Sequence, residues 1–170
     1  MKNQLPYCKT SEAIKGYTDS LIAKNETNDC VVRAIASAFD VHYNQAHDFV
    51  KDKFNRKDRK GTYGFVRGMN EIAFNRTRIG RKCCKPMGKL VKTGLSFSTY
   101  YSLSYDVKVK GEKVKRQMTV GTFIKKNPKG TYIMCVRGHA FTIKDGVVIG
   151  NPQDAKKTRV IVNAAWKVGS

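Results

Sequence analysis

The sequence has few acidic residues and lacks the patterns of a membrane-spanning or metal-binding chain. Its 13 Asp and Glu stand against 33 Lys and Arg, which gives a formal net charge of +20. No apolar run approaches the roughly 20 residues that a membrane-spanning helix needs, so no membrane partner is expected. None of the five cysteines forms a C-x-x-C pair. Because no paired metal-ligand spacing occurs, we predict neither a metal nor a cofactor.

An export signal is also missing from the start of the sequence. The first residues, MKNQLPYCKTSEAIKGY, are too polar to form the apolar segment of a signal peptide. An odd number of cysteines without an export signal favours a reducing compartment. We therefore expect a cytoplasmic protein. The sequence leaves its oligomeric state open.

The excess of positive charge favours a polyanion or an acidic protein surface as a partner. Two basic stretches are candidates for contact with nucleic acid, although each is also compatible with a solvated loop. The candidate residues are Arg76, Arg78, Arg81, Lys82, Lys108, Lys110, Lys113, Lys115 and Arg116.

The order of apolar patterns predicts an α+β domain, with helices in the first half and an antiparallel sheet in the second. The predicted helices span about 11–23, 30–39, 43–54, 65–74 and 119–127, after a loose start at residues 1–10. Strands are predicted from residue 96 onward, and Asp145–Gly146 is a strong hairpin signal. We expect residues 1–170 to form a single domain, with a basic insertion or loop at about 76–95.

Cys30 occupies an informative place at the start of the helix predicted for residues 30–39. The segment reads TNDCVVRAIASAF, and Asn28 or Asp29 can cap the helix. The amino end of a helix carries partial positive charge and free amides, both of which favour a thiolate. A buried structural cysteine is the alternative interpretation.

A cysteine nucleophile also needs a base, and His139 is the histidine best placed to supply one. It follows Gly138 and precedes the apolar pair Ala140–Phe141 at the start of a predicted strand. Asn151 follows the next predicted strand, so adjacent antiparallel strands would bring it near His139. The side-chain amide could then accept the imidazole N–H and orient the ring.

Together these segments resemble the papain-like cysteine peptidases, in particular small phage-encoded members and bacteriocin leader-processing peptidases. NDCVVRAIA at 28–36 resembles the nucleophile helix of that family. PKGTYIMCVRGHAFTIKDGVVIGN at 128–151 resembles its histidine and asparagine strands. The resemblance covers roughly residues 25–55 and 118–168 and implies a papain-like fold, with N-terminal helices packed on a C-terminal sheet.

The resemblance implies a nucleophile at Cys30, a general base and acid at His139, and an orienting side chain at Asn151. The family's oxyanion hole usually includes a Gln about six residues before the cysteine, but this sequence has Lys24 there. Lys24, Asn25 and Asn28 are the remaining side-chain candidates.

The function predicted from this resemblance is thiol-dependent acyl transfer, most simply by a phage-encoded peptidase or isopeptidase in a bacterial host cytoplasm. Its substrate would be a host or viral protein or peptide. The alternative is a papain-like fold with little or no catalysis that serves as a basic module binding nucleic acid or an acidic host protein.

Overall fold

The computed structural model describes residues 4–73, 90–91 and 103–168. Within these ranges the chain is a mixed α+β structure with a mostly antiparallel sheet, as its sequence predicts. Most of the predicted basic insertion at 76–95 lies outside the described residues. The nucleic-acid candidates Arg76, Arg78, Arg81 and Lys82 lie outside them as well.

Most of the helices lie in the first part of the chain and are separated by short connecting segments. They are α1 (Thr10–Ala13), α2 (Leu21–Asn25), α3 (Cys30–Phe39), α4 (Tyr43–Phe54), α5 (Phe65–Ala73) and, later, α6 (Val120–Lys126). The continuous helix predicted for 11–23 is wrong. Gly16 adopts a φ of 67°, and a side chain there would collide with the His42 ring. The chain restarts as α2, whose first turn is capped by the Ser20 hydroxyl accepting from the Ala23 amide at 3.0 Å.

The main sheet joins strands from both ends of the chain. Its strands are β1 (Tyr7–Lys9), β2 (Leu90–Val91), β5 (Thr131–Val136), β6 (His139–Lys144), β7 (Val147–Gly150) and β8 (Ala164–Val168), in the order β1-β7-β6-β5-β8-β2. The loose start predicted for residues 1–10 is wrong in part, because β1 pairs in parallel with β7. The predicted Asp145–Gly146 turn joins β6 to β7, with positive φ at both residues.

A separate two-stranded ribbon is formed by β3 (Ser104–Val109) and β4 (Glu112–Gln117). All six residues of β4 are exposed. The base of the ribbon is tied to the body by backbone hydrogen bonds. There the Leu103 amide donates to the Val162 carbonyl at 2.9 Å, and the Val162 amide donates to the Met118 carbonyl at 2.8 Å.

Apolar side chains cover both faces of the main sheet. Ile133 and Trp166 pack on one face with α3 and α4, and both are fully buried. Met134 and Phe141 pack on the other face with residues that include Phe123 of α6. Alternation along the strands therefore places the sheet between two apolar layers.

A buried polar link fixes α3 on β6. The Ser37 hydroxyl donates to Thr142 Oγ1 at 2.8 Å, and the Thr142 hydroxyl donates to the Ala34 carbonyl at 2.7 Å. Cys30 lies seven residues before Ser37, about 10.5 Å along a helix. His139 lies three residues before Thr142, about 10 Å along a strand. The link thus aligns the start of the helix with the start of the strand.

No helix in the described part of the chain combines the length and the apolar character needed to cross a membrane.

Candidate active site

Cys30 is the first residue of α3, and the helix end beneath it is not capped by a side chain. Asn28 takes a left-handed conformation, with φ of 55°, and turns the chain into the helix. Asp29 occupies the N-cap position, but its side chain makes no capping bond. Instead it accepts from the Tyr43 hydroxyl at 2.8 Å and pairs with Arg33 Nε at 2.9 Å. The positive end of the helix is therefore left to act on the sulfur.

His139 lies beside Cys30, since both residues line one small pocket and each acts on the pKa of the other. The His139 ring also stacks on Phe141, with ring centroids 6.0 Å apart. The fold thus brings together two residues more than one hundred positions apart in sequence. Only 22% of the His139 side chain is exposed, so the pair is largely shielded from water.

The surroundings of Cys30 favour its thiolate. Burial alone would raise the pKa of the thiol, but the neighbouring His139 imidazole and the backbone of Ala140 lower it. The positive charges of His139 and Arg33 act in the same direction. The pKa of Cys30 is consequently lowered from its ordinary value of 9.0.

The third member of the site is Asp154, which sequence reasoning missed. Its Oδ1 lies 2.8 Å from His139 Nε2, and only 2% of its side chain is exposed. This contact is the largest cause that raises the pKa of His139 from 6.5 to about 9, and the neighbouring Cys30 adds to it. Asp154 is the only acidic residue after Asp145 in a basic chain, which is the one sequence signal that could have singled it out.

Neighbouring residues hold the carboxylate of Asp154 in place. The backbone amide of Asn151 donates to its Oδ2 at 2.8 Å, and Lys157 Nζ lies 3.3 Å from its Oδ1. Gly150 leaves room for it, since a Cβ at that position would collide with Oδ2 of Asp154. Burial would raise the pKa of Asp154, but the hydrogen bonds from His139 and Asn151 lower it.

The orienting contact predicted for the Asn151 side chain is therefore not the one observed. Asn151 Oδ1 accepts from Arg33 Nη1 at 2.6 Å. The chain turns after β7, so the backbone amide of Asn151 and the carboxylate three residues later converge on one point. Asn151 lies in the site, but Asp154 contacts the imidazole.

An open cleft of about 930 Å³ leads to Cys30 and His139. The segment 60–67 and residues around the β5–β6 turn line this cleft. Among the three predicted oxyanion candidates, Asn28 lines this cleft. Lys24 and Asn25 lie at the exposed end of α2 and are not among its lining residues.

The other described cysteines differ from Cys30. Cys135 lines the same cleft, yet burial and, to a smaller extent, the charge of Cys30 raise its pKa to about 12. Burial and the neighbouring Glu12 raise the pKa of Cys8. Cys83 and Cys84 lie outside the described residues. Among the three cysteines described, only the one at the helix end has a lowered pKa.

One cluster in the described part of the chain brings together side chains of metal-ligating type. The ligand atoms of Glu26, His47 and Asp58 lie within 4.8 Å of one another. Arg56 Nη2 already binds Glu26 at 2.7 Å, and Lys51 Nζ binds Asp58 at 2.9 Å. Because two cations already neutralise these carboxylates, the cluster fits an ion-pair network better than a metal site.

The remaining nucleic-acid candidates lie on the β3–β4 ribbon. Their side chains are exposed at all five positions, which are Lys108, Lys110, Lys113, Lys115 and Arg116. None of them lines the cleft at Cys30.

No protein-family model matches the chain, and no curated protein or solved structure matches it.

Proposed function

We propose that this protein is a papain-like thiol-dependent acyl-transfer enzyme, with peptide or isopeptide hydrolysis as its reaction. The observation that carries the proposal is that Cys30, His139 and Asp154 line one small pocket, with Asp154 Oδ1 2.8 Å from His139 Nε2, and that Cys30 and His139 also line an open cleft. A nucleophile, a base and a group that orients the base are the three parts that such chemistry needs.

The proposed reaction begins from a thiolate on Cys30 and a protonated imidazole on His139. The sulfur attacks the carbonyl carbon of the substrate, and a C–S bond forms. As the C–N bond breaks, His139 gives its proton to the leaving amine, and a thioester remains on the enzyme. Water then attacks the thioester while His139 takes its proton, which releases the acid and restores the thiolate–imidazolium pair.

The start of α3 supports stabilisation of the negative oxygen formed in both attacks. The uncapped amides of the first helical turn can donate to it, and the side-chain amide of Asn28 lines the cleft beside them. Asn28 Nδ2 lies 3.4 Å from the Arg59 carbonyl, a long hydrogen bond that a better acceptor could replace.

A substrate-independent experiment tests the proposal. Limited alkylation with iodoacetamide at about pH 6.5, read by peptide mass spectrometry, should modify Cys30 at least about tenfold faster than Cys135, because the pKa of Cys30 is lowered while that of Cys135 is raised to about 12. p-Nitrophenyl acetate should acetylate Cys30 in a burst that His139→Ala abolishes. Equal labelling of Cys30 and Cys135, or acetylation that survives loss of the imidazole, would contradict the proposal.

A second candidate function, binding of nucleic acid, is favoured by the β3–β4 ribbon. Lys108 and Lys113 lie directly opposite each other across the ribbon, an arrangement that costs stability in a free hairpin. Three further cations flank this pair, and the whole of β4 is exposed. A row of phosphates would relieve the repulsion, and a basic two-stranded ribbon can lie in a nucleic-acid groove.

This candidate is tested by fluorescence anisotropy with duplex DNA and duplex RNA over a salt series. Affinity should fall steeply with salt, and the doubly reversed variant K113E/K115E should reduce the magnitude of the log–log slope by about two. Lys129→Glu/Lys144→Glu is the matched control, since it changes the net charge equally at exposed positions away from the ribbon. If the two double variants lose the same amount of affinity, binding depends on net charge alone and the ribbon is not the binding site.

A further inference from the structure

The lining of the cleft at Cys30 carries positive charge. Lys60, Arg67 and Arg33 line it together with His139, and no Asp or Glu is found among the described lining residues. Arg33 pairs with Asp29 and binds the Asn151 side chain. Lys60 and Arg67 both have exposed side chains, and both line the cleft that a substrate would occupy.

The backbone that carries Lys60 is fixed relative to the nucleophile. The Arg59 amide donates to Glu26 Oε2 at 2.9 Å, and the Thr27 hydroxyl donates to the Arg59 carbonyl at 3.0 Å. Glu26 is in turn held by Arg56, whose side chain is completely buried. The segment before Lys60 is thereby tied to residues 26–28, which lead directly into α3.

The segment 60–67 also offers contacts for an extended peptide. Tyr63 lines the cleft, and 86% of its surface is exposed. The Thr62 hydroxyl is buried in the wall and makes no hydrogen bond. A peptide backbone could pair with that hydroxyl and pack on the ring, while its side chains reach the cations beside them.

Building on the proposed function, we propose that the cleft selects acidic peptide segments and that Lys60 determines this specificity together with Arg67. Aspartate or glutamate side chains flanking the acylated residue would pair with these cations. The apolar surface of Val31, Phe65 and Val136 would bury the neighbouring part of the chain. Charge complementarity favours a peptide of this class over neutral or basic ones.

The experiment uses the full chain and three iodoacetyl tetrapeptide amides that differ only in two positions, which are Glu-Glu, Gln-Gln or Lys-Lys. The rate of Cys30 alkylation by each peptide is divided by the rate with iodoacetamide in the same variant, so changes in the thiol's own reactivity cancel. The expected order is acidic, then neutral, then basic, with the differences shrinking as salt rises.

Charge-reversal variants then distinguish the effect of the cations in the cleft from the effect of the protein's net charge. Lys60→Glu should lower the normalised rate of the acidic peptide about threefold to tenfold and raise that of the basic peptide, and Arg67→Glu should act in the same direction. Lys129→Glu is the matched control, because it lies on an exposed turn outside the cleft and alters net charge equally. If K60E and R67E prefer the acidic peptide as strongly as K129E does, the inference is overturned.

The two proposals fail in different ways. If iodoacetamide does not select Cys30 over Cys135, the proposed chemistry fails first. If Cys30 is selectively alkylated but the three peptides react at equal normalised rates, the chemistry stands and the acidic specificity is refuted.

Discussion

Replacing Asp154 by Asn tests whether the carboxylate sustains the thiolate on Cys30. The variant keeps the size of the side chain but removes the charge 2.8 Å from His139 Nε2. That contact is the largest of the causes that raise the pKa of His139 from 6.5 to about 9, which is an increase of about 2.5 in the pKa. An opposite charge in contact shifts a pKa by about 1–3 units, so most of the increase is at stake.

The consequence for Cys30 follows from the shared proton. The ratio of the thiolate–imidazolium form to the neutral pair falls about tenfold for each unit by which the pKa of His139 falls. We therefore expect alkylation of Cys30 in D154N at about pH 6 to be slower than in the wild type by about tenfold or more. At high pH, where any thiol is ionised, the two proteins should converge.

The assay is the full pH profile of Cys30 alkylation, with circular dichroism and urea unfolding to confirm that each variant is folded. Asp145→Asn is the control, since it removes an exposed carboxylate at the β6–β7 turn, where the left-handed conformation suits Asn. Wild type and D145N should share one profile. The reasoning is refuted if folded D154N shares it too, because Asp154 would then have no effect on the nucleophile.

Three further predictions concern other parts of the structure. Gly150→Ala places a methyl group against the carboxylate of Asp154. It should slow alkylation of Cys30 toward the D154N rate and lower the free energy of unfolding by about 1–3 kcal/mol. An unchanged alkylation profile would show that the carboxylate does not need this space. Glu26→Gln leaves the buried Arg56 without its counter-charge and should lower that free energy by about 3–5 kcal/mol in urea titrations, unless the pair is dispensable. Burial would raise the pKa of Glu26, but hydrogen bonds led by the one from Arg56 lower it from 4.5 to about 2. The contribution of Glu26 to stability is therefore complete above about pH 4.5 and is lost as the pH falls toward 2. The prediction is contradicted if the free energy of unfolding of E26Q depends on acid pH in the same way as that of the wild type. Phe123→Ala empties a fully buried site on the far side of the sheet and should cost about 3–5 kcal/mol without altering the alkylation profile.

The local pattern was sufficient to place the helix that begins at Cys30 and the strand that begins at His139. The apolar spacing within 30–39 predicts α3, and the helix is buried beyond the predicted stripe, since Val32, Ala36 and Ser37 are buried as well. The Asp145–Gly146 pair forms the turn between β6 and β7 because both residues tolerate positive φ. These are short-range preferences, so they can be predicted without knowledge of the rest of the chain.

The first part of the chain was predicted less well, and the reason is tertiary. The stretch 11–23 has helical apolar spacing, yet the ring of His42 packs against Gly16 and the chain turns away. Residues 7–9 carry no strong strand pattern, yet β7 offers them an open edge with which to pair. In both cases a distant segment supplies the contact that overrides the local preference.

By itself, the sequence determined that a cysteine begins a helix, that a histidine begins a strand, and that the surface is strongly basic. Only the tertiary structure decided which side chain supports the histidine. Asn151 was predicted from its position after a strand, but the turn that follows β7 directs its side chain to Arg33 and brings Asp154 to the imidazole instead. The direction of a side chain after a turn depends on what surrounds it, because several rotamers and turn geometries are nearly equal in energy until packing selects one.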